Sequence, residues 1–218
     1  MSEYTLNAKV RQDAGKGASR RLRRLANEVP AIVYGGKKDP LNISVLQKDL
    51  VKDLEDEAFY TSLITLEIEG AGTEQVVLKD LQRHPSKAQL THADFMRVDA
   101  TTKITMRVPL HFINEEKCHG VKMQGGIVAH AMTELEVTCL PKDLPEFIEV
   151  DMLNIEVGQT VHISDLSLPE GVESVALSHG EDHDLPVANV ITPRGGVQDD
   201  ADAEGDDDAE ATEEKSED

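Results

Sequence analysis

The stretch Tyr4-Thr5-Leu6-Asn7-Ala8-Lys9-Val10-Arg11 alternates apolar and polar residues without a break. That is the period of a strand with one buried face, so Leu6, Ala8 and Val10 point to a core while Arg11 faces solvent. The pattern recurs outward from it. Ala31-Ile32-Val33-Tyr34 follows Pro30 and stops at Gly35-Gly36, and Leu41, Ile43 and Val45 alternate again, which makes a hairpin. Residues 63 to 68 and 74 to 81 read as strands joined at Gly70-Ala71-Gly72, and residues 90 to 97 as a last strand. Two short helices interrupt the series. In one, Gly15 to Ser19 forms a loop ending in Ser19 as N-cap, and Leu22, Leu25 and Ala26 supply an apolar stripe at i, i+3 and i+4 that docks while the arginines turn outward. In the other, Leu46, Leu50, Val51 and Leu54 repeat at helical spacing. About six strands and two helices within residues 1–97 predict a small, closed or nearly closed β-barrel.

A second β-rich block, residues 98–195, opens on Ile104, Met106, Val108, Leu110 and Phe112 in strict alternation. Further strands are expected at 135–139, 147–152, 161–163 and 185–191, separated by Gly and Pro turns. From residue 196 to 218 the chain is almost purely acidic and small, so like-charge repulsion and chain entropy predict a disordered acidic tail. The fold class is therefore mainly β with short helices.

Net charge is −20 and aromatic residues make up 3% of the chain, so the core is built from aliphatic side chains. A charge of that sign argues against a polyphosphate partner until it is divided along the chain. Residues 1–97 carry 15 Lys and Arg against 14 Asp and Glu, residues 98–195 carry 6 against 16, and residues 196–218 carry 1 against 12. Within the first 38 residues the balance is 9 basic to 3 acidic. A basic arm sits on an acidic body. No segment approaches the roughly 20 apolar residues of a membrane span, and no leader pattern opens the chain, so a cytosolic protein with two reduced cysteines, Cys118 and Cys139, is expected.

Three groups of residues could carry chemistry. Gly15-Lys16-Gly17 lacks the spacing of a nucleotide or dinucleotide loop, which leaves either a close approach of backbone and charge to RNA phosphates or a mobile surface loop. His92 and Asp94 share one strand face at roughly 6.6 Å along the strand. They have no placed nucleophile, so a hydrolase is a weak alternative to either an RNA minor-groove reader or a self-orienting surface pair. Cys118-His119 and the scattered histidines show no zinc spacing, and no metal or cofactor is expected.

Four segments in order resemble one family, the bacterial 5S-rRNA-binding large-subunit ribosomal proteins, whose two-domain members are also called general stress protein Ctc. They are Val10-Arg11 with Gly15 to Arg23, Pro30 to Gly36, Asp80-Leu81-Gln82-Arg83-His84-Pro85, and Leu90-Thr91-His92-Ala93-Asp94-Phe95. Residues 161 to 172 are similar to the hallmark of that family's second β domain, extending the likeness to about residue 190. The resemblance implies a barrel similar to the anticodon-binding barrels of glutaminyl-tRNA synthetase, with 5S rRNA as its partner; an accessory tRNA-binding module is the related alternative. It implies RNA contacts at Arg11, Lys16, Arg20, Arg21, Tyr34, His92 and Asp94, with Ser19, Arg23, Gln82 and His84 as secondary positions. It further implies a non-enzymatic monomer in the cytoplasmic ribosome beside other ribosomal proteins. The tail either stays in solvent or engages basic ribosomal proteins or a stress-related partner. One departure is Leu185-Pro186-Val187-Ala188-Asn189-Val190, whose proline and polar residue weaken the expected last strand and put the edge of the second domain in doubt.

Overall fold

The computed structural model describes residues 4–192. The acidic segment 196–218 and its expected disorder lie outside the described residues, as do residues 193–195 of the second block.

The first half runs β1 (Tyr4–Val10), α1 (Lys16–Arg21), a π-helical turn (Leu22–Ala26), β2 (Glu28–Tyr34) and β3 (Leu41–Leu46). It continues through α2 (Gln47–Asp53), a 3-10 turn (Glu57–Tyr60), β4 (Ile64–Glu69), β5 (Gly72–Arg83) and β6 (Leu90–Arg97). These six strands close into a barrel in the order β1-β3-β2-β6-β5-β4. Local hairpins make three of the seams: β2 with β3, β4 with β5, and β5 with β6, all antiparallel. The others are non-local, and two are parallel: β1 with β4 from Tyr4↔Ile64 to Lys9↔Glu69, and β2 with β6 from Ala31↔Ala93 to Tyr34↔Met96. Alternation then sends Leu6, Ala8, Val33, Ile43, Leu66 and Phe95 inward, all fully or nearly fully buried. Burial of Phe95 and of Phe59 from the 3-10 turn, the two largest fully buried side chains among the described residues, contributes about 1.5–3 kcal/mol each.

Several expectations near the basic arm are corrected. The helix starts at Lys16, not after Ser19; Gly15, at φ 96, is the N-cap residue and Ser19 lies inside α1. The stripe Leu22, Leu25, Ala26 does not dock as a unit. The last turn winds as a π-helix, whose extra residue per turn rotates the face that a 3.6 period would bury. Leu25 is 71% exposed, and Arg23 turns to the barrel instead. Val10 is half-exposed, and Arg11, expected in solvent, is half-buried.

The second half adds β7 (Ile104–Ile113), α3 (His119–Lys122), β8 (Ile127–His130), β9 (Glu134–Cys139) and β10 (Ile148–Asp151). β11 (Thr160–His162), β12 (Glu173–Ser174), α4 (Val175–Ser178) and β13 (Pro186–Ile191) complete it. Its strands form two open sheets, β10-β7-β9-β12 and β11-β13-β8. The doubtful last strand is the central one of its sheet. Pro186 is tolerated because it opens β13, at a bulge in the pairing with β11, while Val187, Ala188 and Val190 are fully buried. Both cysteines are free and buried.

The two halves meet closely. Val77 of β5 belongs to the second hydrophobic core, with Leu63, Met96 and Val98 packed against it. Lys79 Nζ donates to Thr105 O at 2.6 Å and Thr61 Oγ1 to Glu146 O at 3.2 Å.

Candidate nucleic-acid interface

The outer barrel face across β2, β6 and β5 is built by register. Gln82 lies opposite His92 and Asp80 opposite Asp94 on the β5–β6 seam, while Ile32 flanks Asp94 on the β2 side and Tyr34 lies opposite Met96. His92 Nδ1 meets Asp94 Oδ1 at 2.7 Å, with each side chain about 30% exposed. A carboxylate only accepts, so Nδ1 donates. The bond fixes the imidazole ring and leaves Nε2 and the second carboxylate oxygen for an outside partner. Tyr34 is half-buried beside them. Burial, then the carboxylates of Asp94 and Asp80, push its phenol above the ordinary value of about 10, so it remains a hydroxyl donor at neutral pH.

Asp80 was not foreseen as part of this face. Strict alternation would group it with buried Leu78, but the pairing register shifts between Leu78 and Asp80 and turns its side chain outward, where it also accepts from the Leu81 N–H at 2.9 Å. The only sequence signal is that an acidic residue falls at an apparently buried position.

The basic arm is fastened to the barrel at two points, one on β6 of this face and one on β3. Arg23 Nη1 donates to Thr91 O at 2.8 Å, one residue before His92, and Thr91 Oγ1 donates to Gln82 O at 3.0 Å. At the other end Arg11 N donates to Asn42 O at 2.9 Å. The Arg11 guanidinium reaches Asp13 O at 3.0 Å and Ser19 Oγ at 3.4 Å through Nη1, and its buried Nε has no partner among the described residues. Arg11, Ser19 and Arg23 therefore hold the arm in place. Lys16, Arg20 and Arg21 are exposed and form no ion pair among the described residues, so their full charge faces outward. His84 is committed locally, its Nδ1 accepting from the Ser86 N–H at 3.2 Å in the β5–β6 hairpin. Gln82 is exposed.

Arg97, away from the arm, also performs a structural task that composition does not reveal. Its Nε meets Glu74 Oε2 at 2.6 Å, and its Nη1 reaches the carbonyls of Gly35, Lys38 and Asp39, bolting the β2–β3 loop to β6 just beyond Tyr34. Among the described residues no cluster of His, Cys, Asp and Glu is arranged to hold a metal ion, and no helix is long and apolar enough to cross a membrane.

A closed barrel with this basic arm, followed by a β-rich half, matches two ribosomal-protein family models in tandem. Residues 6–95 match the ribosomal L25p family, and residues 103–194 match the C-terminal domain of ribosomal protein TL5. Large ribosomal subunit protein bL25 of Saccharophagus degradans is 60% identical over 205 residues, covering 94% of this chain and 97% of the relative. The bL25 of Azotobacter vinelandii is 60% identical over 194 residues, covering 89% and 96%, and that of Ectopseudomonas mendocina 58% over 204, covering 94% and 100%. The chain belongs to the bL25 family of large ribosomal subunit proteins.

Proposed function

We propose that this chain is a structural, non-catalytic component of the large ribosomal subunit, acting in the cytoplasm as a monomer that binds 5S rRNA through its barrel. The observation that carries the reading is the bond from Arg23 to Thr91 O, which ties the end of the basic arm to the residue before His92, beside the His92–Asp94 pair. Phosphates are met by Lys16, Arg20 and Arg21, which supply charge without internal partners to surrender. Arg11, Ser19 and Arg23 set the arm's position and offer their remaining donors. Tyr34, His92, Asp94 and Gln82 read ribose hydroxyls or base edges across a shallow minor groove, with His84 at the margin. Asp94 calls for an RNA donor, such as a 2′-hydroxyl or a guanine amino group, because its carboxylate cannot donate.

Two variants separate these roles. Arg20→Ala weakens binding to 5S rRNA and to a generic duplex alike and lowers the salt dependence by about one charge. Asp94→Ala erases most of the preference for 5S rRNA over the generic duplex, on the order of tenfold for one charge-assisted hydrogen bond. Variants that fold, as judged by circular dichroism, and bind like the parent would remove this face from the interface. The residue limits 1–97 and 98–195 are proposed as the working division between RNA-binding and partner-facing parts.

A further inference from the structure

The sheet β10-β7-β9-β12 ends on β10, which is hydrogen-bonded on one side only, to β7. Met152 N donates to Ile113 O at 3.1 Å. Because backbone groups alternate sides along a strand, Glu149 and Asp151 turn their N–H and C=O toward the open edge. Beside that edge lies a groove of about 1000 Å³, bounded across from β10 by Thr160, Val161 and the segment from Asp165 to Pro169. Ile113 and Phe147, 37% and 40% exposed, give it apolar surface. Glu149, Asp151 and Asp165 give it charge, and no Lys or Arg among the described residues lines it.

Two of those carboxylates are fixed in place. Asp151 Oδ1 accepts from Asn114 Nδ2 at 2.9 Å and from the Leu153 N–H at 3.0 Å, and Asp165 Oδ2 accepts from the His162 N–H at 3.0 Å. The bond from Asn114, then that from Leu153, hold Asp151 below the usual carboxylate range, so Asp151 keeps its negative charge at neutral pH and somewhat below.

We propose that this groove takes up an extended, lysine- and arginine-rich segment of a neighbouring protein, which adds as a further strand along β10. An unpaired strand edge offers main-chain hydrogen bonds, and flanking side chains then select the sequence that pairs with it. Charge decides among the candidates. RNA is excluded by sign, as is the segment 196–218, with 12 acidic residues to 1 basic, and the one basic stretch that a second copy could bring, residues 1–38, is committed to the RNA contact proposed above. A basic strand gains both the edge and the acidic walls. That the neighbour is a ribosomal protein rests on the function proposed above; the chemistry of the groove does not.

The test uses the full chain with a labelled peptide of alternating Lys and Val, and a block-scrambled peptide of the same composition. The alternating peptide is expected to bind at least about fivefold more tightly, because it alone presents charge and apolar faces at strand spacing. The amides of Glu149 and Asp151 are expected to gain hydrogen-exchange protection when it binds. Glu149→Lys should weaken binding about tenfold, whereas Glu116→Lys, an exposed change outside the groove, should not. Equal binding of the scrambled peptide, or edge amides that stay unprotected, would overturn the proposal. Binding of 5S rRNA to the same samples reports separately on the barrel and is expected to be unchanged by Glu149→Lys.

Discussion

The two halves of this molecule use the same material, short strands of Val, Ile and Leu, with opposite results. In the first, six strands close on themselves and every strand has two hydrogen-bonded neighbours. Closure leaves no edge, so a partner can be met only by side chains standing on the outer face and by the arm fastened to it. In the second, two sheets remain open, and β10, β12, β11 and β8 each end a sheet. There the backbone itself remains available. The charge follows the same division: the basic arm belongs to the barrel, while residues 98–195 hold 16 acidic residues to 6 basic. The two proposed modes, side-chain recognition of RNA and edge recognition of a basic strand, thus fall in separate halves of one chain.

The sharpest way to break that contrast is Arg97→Met. Arg97 and Glu74 are each about nine-tenths buried in their side chains, and removing the guanidinium leaves Glu74 with only Lys38, at 2.7 Å, as partner. A loss of about 3 kcal/mol is expected in thermal denaturation, with weaker 5S rRNA binding because the loop after Tyr34 loses its bolt. Burial raises the Glu74 carboxyl, but the bonds from Lys38 and Arg97 outweigh it and hold the group below its ordinary value. Its stabilisation is therefore present above the unfolded carboxylate value of about 4.3 and fades as pH falls through the lower folded value. The parent should lose more stability than Arg97→Met over that acid range, and parallel curves would contradict the pairing.

A smaller effect is expected in the other half. A Cβ at Gly126 would lie 2.7 Å from both Val157 Cγ2 and Val190 Cγ1 and 3.0 Å from Gly120 O. Gly126→Ala should cost about 1–3 kcal/mol of stability through overpacking yet leave 5S rRNA binding intact. Impaired RNA binding in that variant would mean that the halves are functionally coupled across their shared contact. Smallest of all is Leu25→Ser, expected to change stability by less than about 0.5 kcal/mol, since this leucine is exposed. A large loss would restore the docked stripe that a regular helical period suggests.

That last case marks where sequence was readable and where it was not. Strands that alternate over six residues or more, such as β1 and β7, were legible because their buried positions fall on alternate residues. So was the placement of His92 and Asp94 on one side of β6, with Ala93 and Phe95 on the other. The arm was misread because a periodicity of 3.6 cannot anticipate a π-turn, and Arg11 because the strand ends one residue before it. Asp80 was hidden by a register shift, and β8 by its weak alternation, with both ends exposed, directly after Gly125-Gly126. Barrel closure through the parallel seams of β1 with β4 and β2 with β6 was suggested only by strand count, since pairing between distant segments leaves no local pattern. The face proposed to meet RNA came from resemblance, and the bonds among Arg11, Ser19, Arg23 and Thr91 then divide those residues into holders and free charges.

The central claim is that a chain of net charge −20 grips RNA through a local basic arm. Its most direct test is the affinity of the full chain for 5S rRNA as salt is varied. With about five phosphates neutralised, log K is expected to fall against log salt with a slope on the order of −4. A flat response would contradict the account.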